Sequence, residues 1–374
     1  MNDQKRLIVR LSGVVDVILI TVLILRGTGW FGALLVIELL MWMVRLVWVS
    51  PILLRFILRR LLHMIPIILT TIALGFFLIK LAPGDVFTAM ALNPQIRPEA
   101  LETFRDNFGL NRPWYIQFFK YLWNVLHGEF GFSENFKAPV FWLVNQRTIN
   151  TLILTIPTIV LAWGFSIPAG IIAARNQYTW KDQIVSILAF IGLSIPNFFL
   201  AFLMLYLISV SGNWLPIGGM YSVDVNEMNA IQKLWDLAKH AAVPVFVLAT
   251  GTTAGLVRVM RANMLEILGM QYTTTARAKG LSERKVVYKH ALRNAINPMI
   301  TLFGFQLGAI LGGAALTENV TAWPGLGRLI LRALLTQDLY LVVGSLIYSV
   351  ALLVVGNLIA DILLAVVDPR VRIS

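Results

Sequence analysis

Residues 151–174 read TLILTIPTIVLAWGFSIPAGIIAA, twenty-four positions without a charged side chain. A helix needs roughly 20 mostly apolar residues to cross the hydrocarbon core of a bilayer. Five more segments are comparably long and mostly apolar: 61–81, 184–210, 241–260, 299–316 and 341–367. All are too long for strands, and none alternates as the strands of a membrane barrel do. The composition agrees: 58% of the 374 residues are apolar and 13% charged, against about 45–50% and about 25% in soluble domains. A water-soluble fold of this length has nowhere to hide that apolar surface, so the excess faces lipid. Disorder, collagen-like structure and coiled coil are excluded on the same grounds. The chain has no cysteine, which excludes disulfides and thiolate metal sites. The expected fold is an all-α integral membrane protein with six main spans.

Two apolar stretches precede these spans. Residues 11–25 contain Asp16, residues 30–49 contain Glu38 and Arg45, and Arg26-Gly-Thr-Gly29 joins them. Lys5, Arg6 and Arg10 before the first stretch suggest a secretory signal, but no small-x-small cleavage site follows. The expectation is an extra membrane hairpin over residues 1–52, ahead of a transmembrane domain over 53–374; the alternative is a helix pair lying in the interface.

The net charge of +12 has to be placed before it is interpreted. Residues 258–297 hold Arg258, Arg261, Arg277, Lys279, Arg284, Lys285, Lys289 and Arg293 against only Glu266 and Glu283. Arg55, Arg59, Arg60, Arg175, Lys181, Arg370 and Arg372 fall on the same side of the six-span layout. Basic loops mark the cytoplasmic side, so both termini are expected there. The opposite segments, 82–147 and 211–240, are not basic overall. The charge is therefore a topology signal, which argues against a nucleic-acid partner.

Two loops are long enough to carry function. Segment 82–147, expected outside, holds Trp114, Tyr115, Phe118, Phe119, Tyr121 and Trp123. It reads as a helical segment folded against the outer membrane face, either a lid, a docking surface, or a structured loop without a partner. Segment 258–297 reads as two short helices joined at Gly280, with Ser282 placed to cap the second, which ends near Asn294. The small residues Ala276 and Ala278 sit at its apex and permit close approach by another protein. The alternative is a solvated hairpin held by lipid head groups.

The second loop carries TARAKGL at 275–281, HALRNA at 290–295 and Pro298. It resembles the EAA loop of ABC-type importer permeases, in the oligopeptide, dipeptide and nickel subfamily. The glutamate of the wider pattern is absent, since Thr274-Thr-Ala276 stands in that register, as is usual in the peptide branch. Further likenesses follow in order: LAPGD at 81–85, FGLNRP at 108–113, GEFGFS at 128–133, LSIPNF at 193–198, WLPIGG at 214–219, WPGLGR at 323–328 and DPR at 368–370. The resemblance covers about residues 53–372.

The resemblance implies a type I permease core that carries peptides, or alternatively nickel or another small solute. It implies a homologous second permease, two ATPase subunits that hold ATP and magnesium, and an extracytoplasmic substrate-binding protein, assembled in the bacterial inner membrane. The chain has no GxxxxGK[ST] phosphate loop, so the expected role is translocation without ATP hydrolysis of its own and without a cofactor. The expected ATPase-coupling residues are Ala276, Arg277, Ala278, Lys279, Gly280 and Leu281. Arg277 and Lys279 would meet acidic or carbonyl groups of the ATPase, and Leu281 an apolar notch.

Other residues have plainer readings. Gly304, Gly308 and Gly312 recur every four positions, the spacing of a helix-packing face. Asn357 and Asp361 are also four apart, and interhelical hydrogen bonding is expected of them before proton or ion handling. Pro157, Pro168, Pro196 and Pro244 fall within apolar segments, as hinges or as local kinks. His63, His127, His240 and His290 are far apart, and no HExxH motif suggests a metal site. Two rivals from other classes are a proton-coupled secondary transporter, which would need midplane acids and an inverted second half, and a membrane scaffold that transports nothing.

Overall fold

The computed structural model describes residues 51–81 and 111–367. The described residues between 66 and 361 belong to one compact unit; 51–65 and 362–367, both helical, belong to a second. The hairpin expected ahead of residue 51, the first part of the 82–147 segment and the closing DPR lie outside the described residues.

The elements run α1 (Pro51–Leu81), α2 (Trp114–Leu126), a two-stranded hairpin (β1, Phe132–Ser133; β2, Ala138–Pro139), α3 (Val140–Arg175), α4 (Trp180–Ser194), α5 (Asn197–Val210) and α6 (Ala230–Leu268). They continue with α7 (Gln271–Ala278), α8 (Glu283–Lys285), a π-helical turn (Val286–Ala291), α9 (Leu292–Ala295), α10 (Asn297–Gly313), α11 (Ala315–Val320), α12 (Leu326–Leu335) and α13 (Leu339–Val367). The strands pair antiparallel with Phe132 opposite Pro139, and all other regular structure among the described residues is helical. The all-α expectation therefore holds.

Each of the six apolar segments is helical, but they do not all form straight crossings. Ile57–Leu81, Val140–Arg175, Ala230–Leu268 and Leu339–Ile362 are long and apolar enough to span a bilayer. The segment 184–210, expected as one span, is two helices, α4 and α5, bent by 97°. The cause is Pro196, which lacks an N–H and drives the residue before it out of the helical region. Ile195 is extended, at φ −87° and ψ 118°. Pro157, Pro168 and Pro244 lie inside α3 and α6, which continue through them. Of the four prolines expected to interrupt helices, only Pro196 breaks one. The segment 299–316 also departs from a single run. Helix α10 has 17 residues, about 25 Å at 1.5 Å per residue, and the chain restarts as α11 after Ala314.

Helix α6 sets the frame. It has 39 residues, and its start is closed by a capping box: Gln232 N–H donates to Asn229 Oδ1 and Asn229 N–H to Gln232 Oε1, both at 2.9 Å. Its main neighbour is α3. They meet through Ala162, Ile171 and Ala174 on one side and Leu256, Met260 and Met264 on the other. Gly170 lies where any Cβ would strike the Met260 side chain, so close packing here depends on small residues, as it does between helices in lipid. Helix α10 joins this pair through Trp163, whose Nε1 donates to Gln306 at 3.0 Å. At the other end of α3, Val140, Leu143 and Val144 pack with Ile72, Leu329, Leu341 and Ile347.

One ion pair crosses the bundle. Arg261 on α6 donates from Nε and Nη2 to the two carboxylate oxygens of Asp182, at 2.6 and 2.7 Å. Asp182 is buried and also accepts the Tyr178 N–H at 3.0 Å. Arg261, counted above only as a topology charge, thus fixes the start of α4 against α6. Removing one partner of a buried pair leaves the other uncompensated. Asp182→Ala should therefore lower stability by about 3 kcal/mol, read as a lower unfolding temperature in detergent, while Arg261→Lys, which gives up the forked geometry, should lose less. An unchanged unfolding temperature in Asp182→Ala would show that the pair does not hold the bundle.

Candidate functional site

The 258–297 loop folds as a tight elbow between α6 and α10. Helix α6 ends at Gly269, and α7 begins after Met270. The buried Thr273 joins them: its Oγ1 lies 2.6 Å from Met270 O, 3.0 Å from Leu268 O and 3.2 Å from Ile267 O. Carbonyls left open at a helix end need such a donor. Helix α7 then stops in a Schellman arrangement. Gly280 N–H donates to Arg277 O at 2.9 Å, and Leu281 N–H donates to Ala276 O at 3.3 Å. Gly280 stands at φ +75°, a conformation other residues adopt only at a cost. The break expected at Gly280 is present, and its physical basis is this positive φ.

The elbow is clamped from within. Arg277 Nε and Nη2 donate to Glu283 Oε2 and Oε1 at 3.2 and 3.1 Å, and Nη1 donates to Leu268 O at 3.3 Å. Arg277 thus ties both sides of the Gly280 turn to the end of α6. The hydrogen bond from Arg277 holds the Glu283 carboxyl below its ordinary value and raises the guanidinium above its own. Because the carboxyl is depressed in the fold, the clamp is complete at neutral pH and is lost as pH falls through that lowered value. Both side chains are well exposed, so the pair shapes the loop and contributes little to global stability.

After Gly280, Ser282 occupies the N-cap position of α8, yet its side chain makes no capping bond; its carbonyl accepts from Lys285 N–H at 2.8 Å. The second limb runs through the π turn to Ala295, near the expected end. Val287, Ala291, Ala295 and Met299, four residues apart, all face the Met260–Met264 core. In a plain α-helix that spacing drifts by about 40° per step. A π turn is wider and offsets the drift, so the limb stays seated on α6 throughout. Asn294 Nδ2 donates to Tyr272 Oη at 2.8 Å and closes the two limbs together.

The expected apex residues therefore divide. Ala278, Lys279 and Gly280 are exposed; Leu281 is half-buried; Ala276 is buried, not presented at the surface as its small size suggested. Arg277 is engaged inside the loop, where an outside partner was expected. Beside the elbow, Arg175, Arg284 and Tyr288 line an open cleft. Gly304, Gly308 and Gly312 all fall on α10, but their packing lies outside the described residues. Asn357 and Asp361 are half-buried on successive turns of α13.

A second site at the far end of α6 was not singled out in the sequence. Glu318 on α11 is buried, and its oxygens accept from Thr151 Oγ1 at 2.7 Å and from Arg328 N–H at 2.9 Å. Thr151 Oγ1 accepts in turn from Leu326 N–H at 2.7 Å. Glu318 and Thr151 thus satisfy the open N–H groups of α12, whose own cap position is Gly325. A Cβ at Gly325 would fall on the Glu318 carboxylate. Trp323 is fully buried, with its Nε1 donating to Asn150 O at 3.0 Å, and Arg147 and Asn150 both donate to Pro324 O. The WPGLGR turn is therefore locked to α3. The signal was available in outline: an acid two residues beyond an apolar segment, followed by a glycine-rich turn.

Comparisons with known proteins agree over nearly the whole described chain. Residues 166–373 match the model of the binding-protein-dependent transport system inner membrane component family, and residues 53–162 match its N-terminal companion. The chain is 42% identical to the oligopeptide transport system permease protein AppB of Bacillus subtilis over 317 residues, covering 84% of this chain and 98% of the relative. It is 36% identical to the dipeptide transport system permease protein DppB of Escherichia coli K12, covering 85% and 99%. It is also 36% identical to the glutathione transport system permease protein GsiC of Escherichia coli O1:K1, covering 76% and 88%.

Two outcomes follow from these contacts. Thr151→Val removes both a donor to Glu318 and the acceptor for Leu326 N–H, and should cost about 1–3 kcal/mol in thermal unfolding, against almost nothing for Thr151→Ser. If Arg277 acts in part through Glu283, each single reversal, Arg277→Glu or Glu283→Arg, should impair function, and the double reversal should recover the part that depends on this pair while the bond to Leu268 O stays lost; a double variant no better than Arg277→Glu alone would show that the pair carries none of the effect.

Proposed function

The chain belongs to the family of binding-protein-dependent transport system inner membrane components, and from that premise we propose that it is the membrane-spanning permease subunit of an ATP-driven importer of peptides. Peptide is favoured over nickel because the relatives described above are named for oligopeptide, dipeptide and glutathione transport. ATP and magnesium are held by two separate ATPase subunits. A homologous second permease completes the pathway, and an extracytoplasmic binding protein delivers the solute. The chain sits in the bacterial inner membrane with both termini and the 258–297 elbow in the cytoplasm, as the distribution of basic residues supports.

The observation that carries this reading is the stiffness of the elbow. Work done on a loop reaches a bundle only if the loop does not yield first. Here α7 ends in a Schellman turn, Arg277 ties that turn to α6, and Thr273 bonds the α6 terminus. The second limb is seated on the same helix through Val287, Ala291 and Ala295. A push on Ala278–Gly280 is therefore passed to α6, and through Arg261 and Asp182 to α4. Rigid-body movement of that group switches access between the two sides. Lys279, exposed at the tip, faces outward to meet an ATPase surface.

Gly280 is the point at which to test this. Proline there would fix φ near −65° and remove the N–H bonded to Arg277 O. Gly280→Pro should abolish ATP-dependent peptide uptake in proteoliposomes containing the complete complex, with normal membrane insertion and continued ATP hydrolysis. Gly280→Ala, which strains the turn without removing the donor, should retain reduced uptake. Full uptake by the proline variant would overturn the coupling role.

A further inference from the structure

We propose that α2 is an interfacial helix, with its outward aromatic face lying in the outer head-group layer of the bilayer. One side of α2 is accounted for by the protein. Phe118 and Tyr121 meet Phe76 of α1 with ring centroids 5.5 and 5.8 Å apart, Lys80 Nζ donates to Gln117 Oε1 at 3.2 Å, and Val125 is buried. These contacts place α2 beside the last two turns of α1, where the apolar run of that span ends. The opposite side carries Tyr115, Phe119, Trp123 and Leu126, at spacings of four, four and three, all exposed; Phe119 and Trp123 are 64% and 65% accessible. No acidic residue occurs on the helix. Water is a poor solvent for such a stripe.

Continuity with the lipid-facing surface of α1 identifies the occupant. Phe77 and Trp114, both exposed, are in ring contact at 6.0 Å. Phe77 shares α1 with the exposed Leu74, Leu78 and Leu81, the surface that a spanning helix turns to hydrocarbon. The apolar face of α2 is thus an extension of that surface, at the level where the span gives way to polar surroundings. Tryptophan and tyrosine are the side chains enriched at this depth, because their rings are apolar and their edges polar. A second permease or a docked binding protein would need no such continuity with the lipid face of α1.

The chain has no cysteine, so a single nitroxide label can be placed at will. In the complete transporter, built with cysteine-free partners in a bilayer of phosphatidylethanolamine and phosphatidylglycerol, labels at Phe119→Cys and Trp123→Cys should relax more with oxygen than with a water-soluble nickel chelate. A label at Val223→Cys, a fully exposed position in the 211–229 loop, should do the reverse. Monodisperse elution and an unchanged unfolding temperature certify each labelled protein. Should a label disturb the fold, Tyr115→Cys and Leu126→Cys report from the same face. Relaxation mainly by the nickel chelate would overturn the proposal in favour of an aqueous face. Relaxation by neither reagent would overturn it in favour of a covering subunit, and protection arising only on addition of the binding protein in favour of a docking surface. The readout is depth, so it fails or succeeds apart from the transport reading.

Discussion

Every helix leaves backbone N–H and C=O groups open at its ends, and the way they are met shapes the rest of the chain. At three of these ends a nearby group takes over the open valences. At the close of α6 it is the Thr273 hydroxyl, at the start of α12 it is Glu318 with Thr151, and at the close of α7 it is the backbone of Gly280 and Leu281. The elbow and the WPGLGR turn are both helix ends provided for in this way. Each is bonded to a long helix, the elbow to α6 and the turn to α3, and those two helices are each other's main packing partner.

That arrangement gives the transport reading its physical content. A signal entering at the elbow does not have to cross soft chain. It meets Arg277, the α6 terminus and the Met260–Met264 core, all of which belong to one packed assembly. The Asp182–Arg261 pair brings the bent α4–α5 element into the same assembly. At the other end, Trp323 and Pro324 fix the WPGLGR turn to Asn150 and Arg147 on α3. The two ends are thus connected through the packed pair of long helices α3 and α6.

Most of the scaffold was legible in the sequence, because long uncharged runs admit few structures in a membrane. The Gly280 break and the two limbs around it were legible as well, since glycine and helix formers act locally. What was not legible depended on how the chain turns locally or on contacts between distant segments. Arg277 looks like a free cation in the sequence, and only the fold brings it to Glu283 and Leu268. Ala276 looks like a surface residue because it is small, and it is small because it is buried. Glu318 lies 167 residues from Thr151, so the acid and the glycine-rich turn after it are visible locally but the bond to α3 is not. The break at Pro196 was expected in kind, yet nothing local distinguished it from Pro157, Pro168 and Pro244, which their helices absorb.

The wide turn at Val286–Ala291 has a consequence for register. It holds one residue more than an ordinary helical turn would need to keep Val287, Ala291, Ala295 and Met299 on one line. Deleting a single position there would rotate everything downstream by about 100°, swinging Met299 out of its slot and turning α10 about its own axis. The length of this short stretch, more than the identity of its side chains, therefore dictates which flank of α10 meets the rest of the bundle.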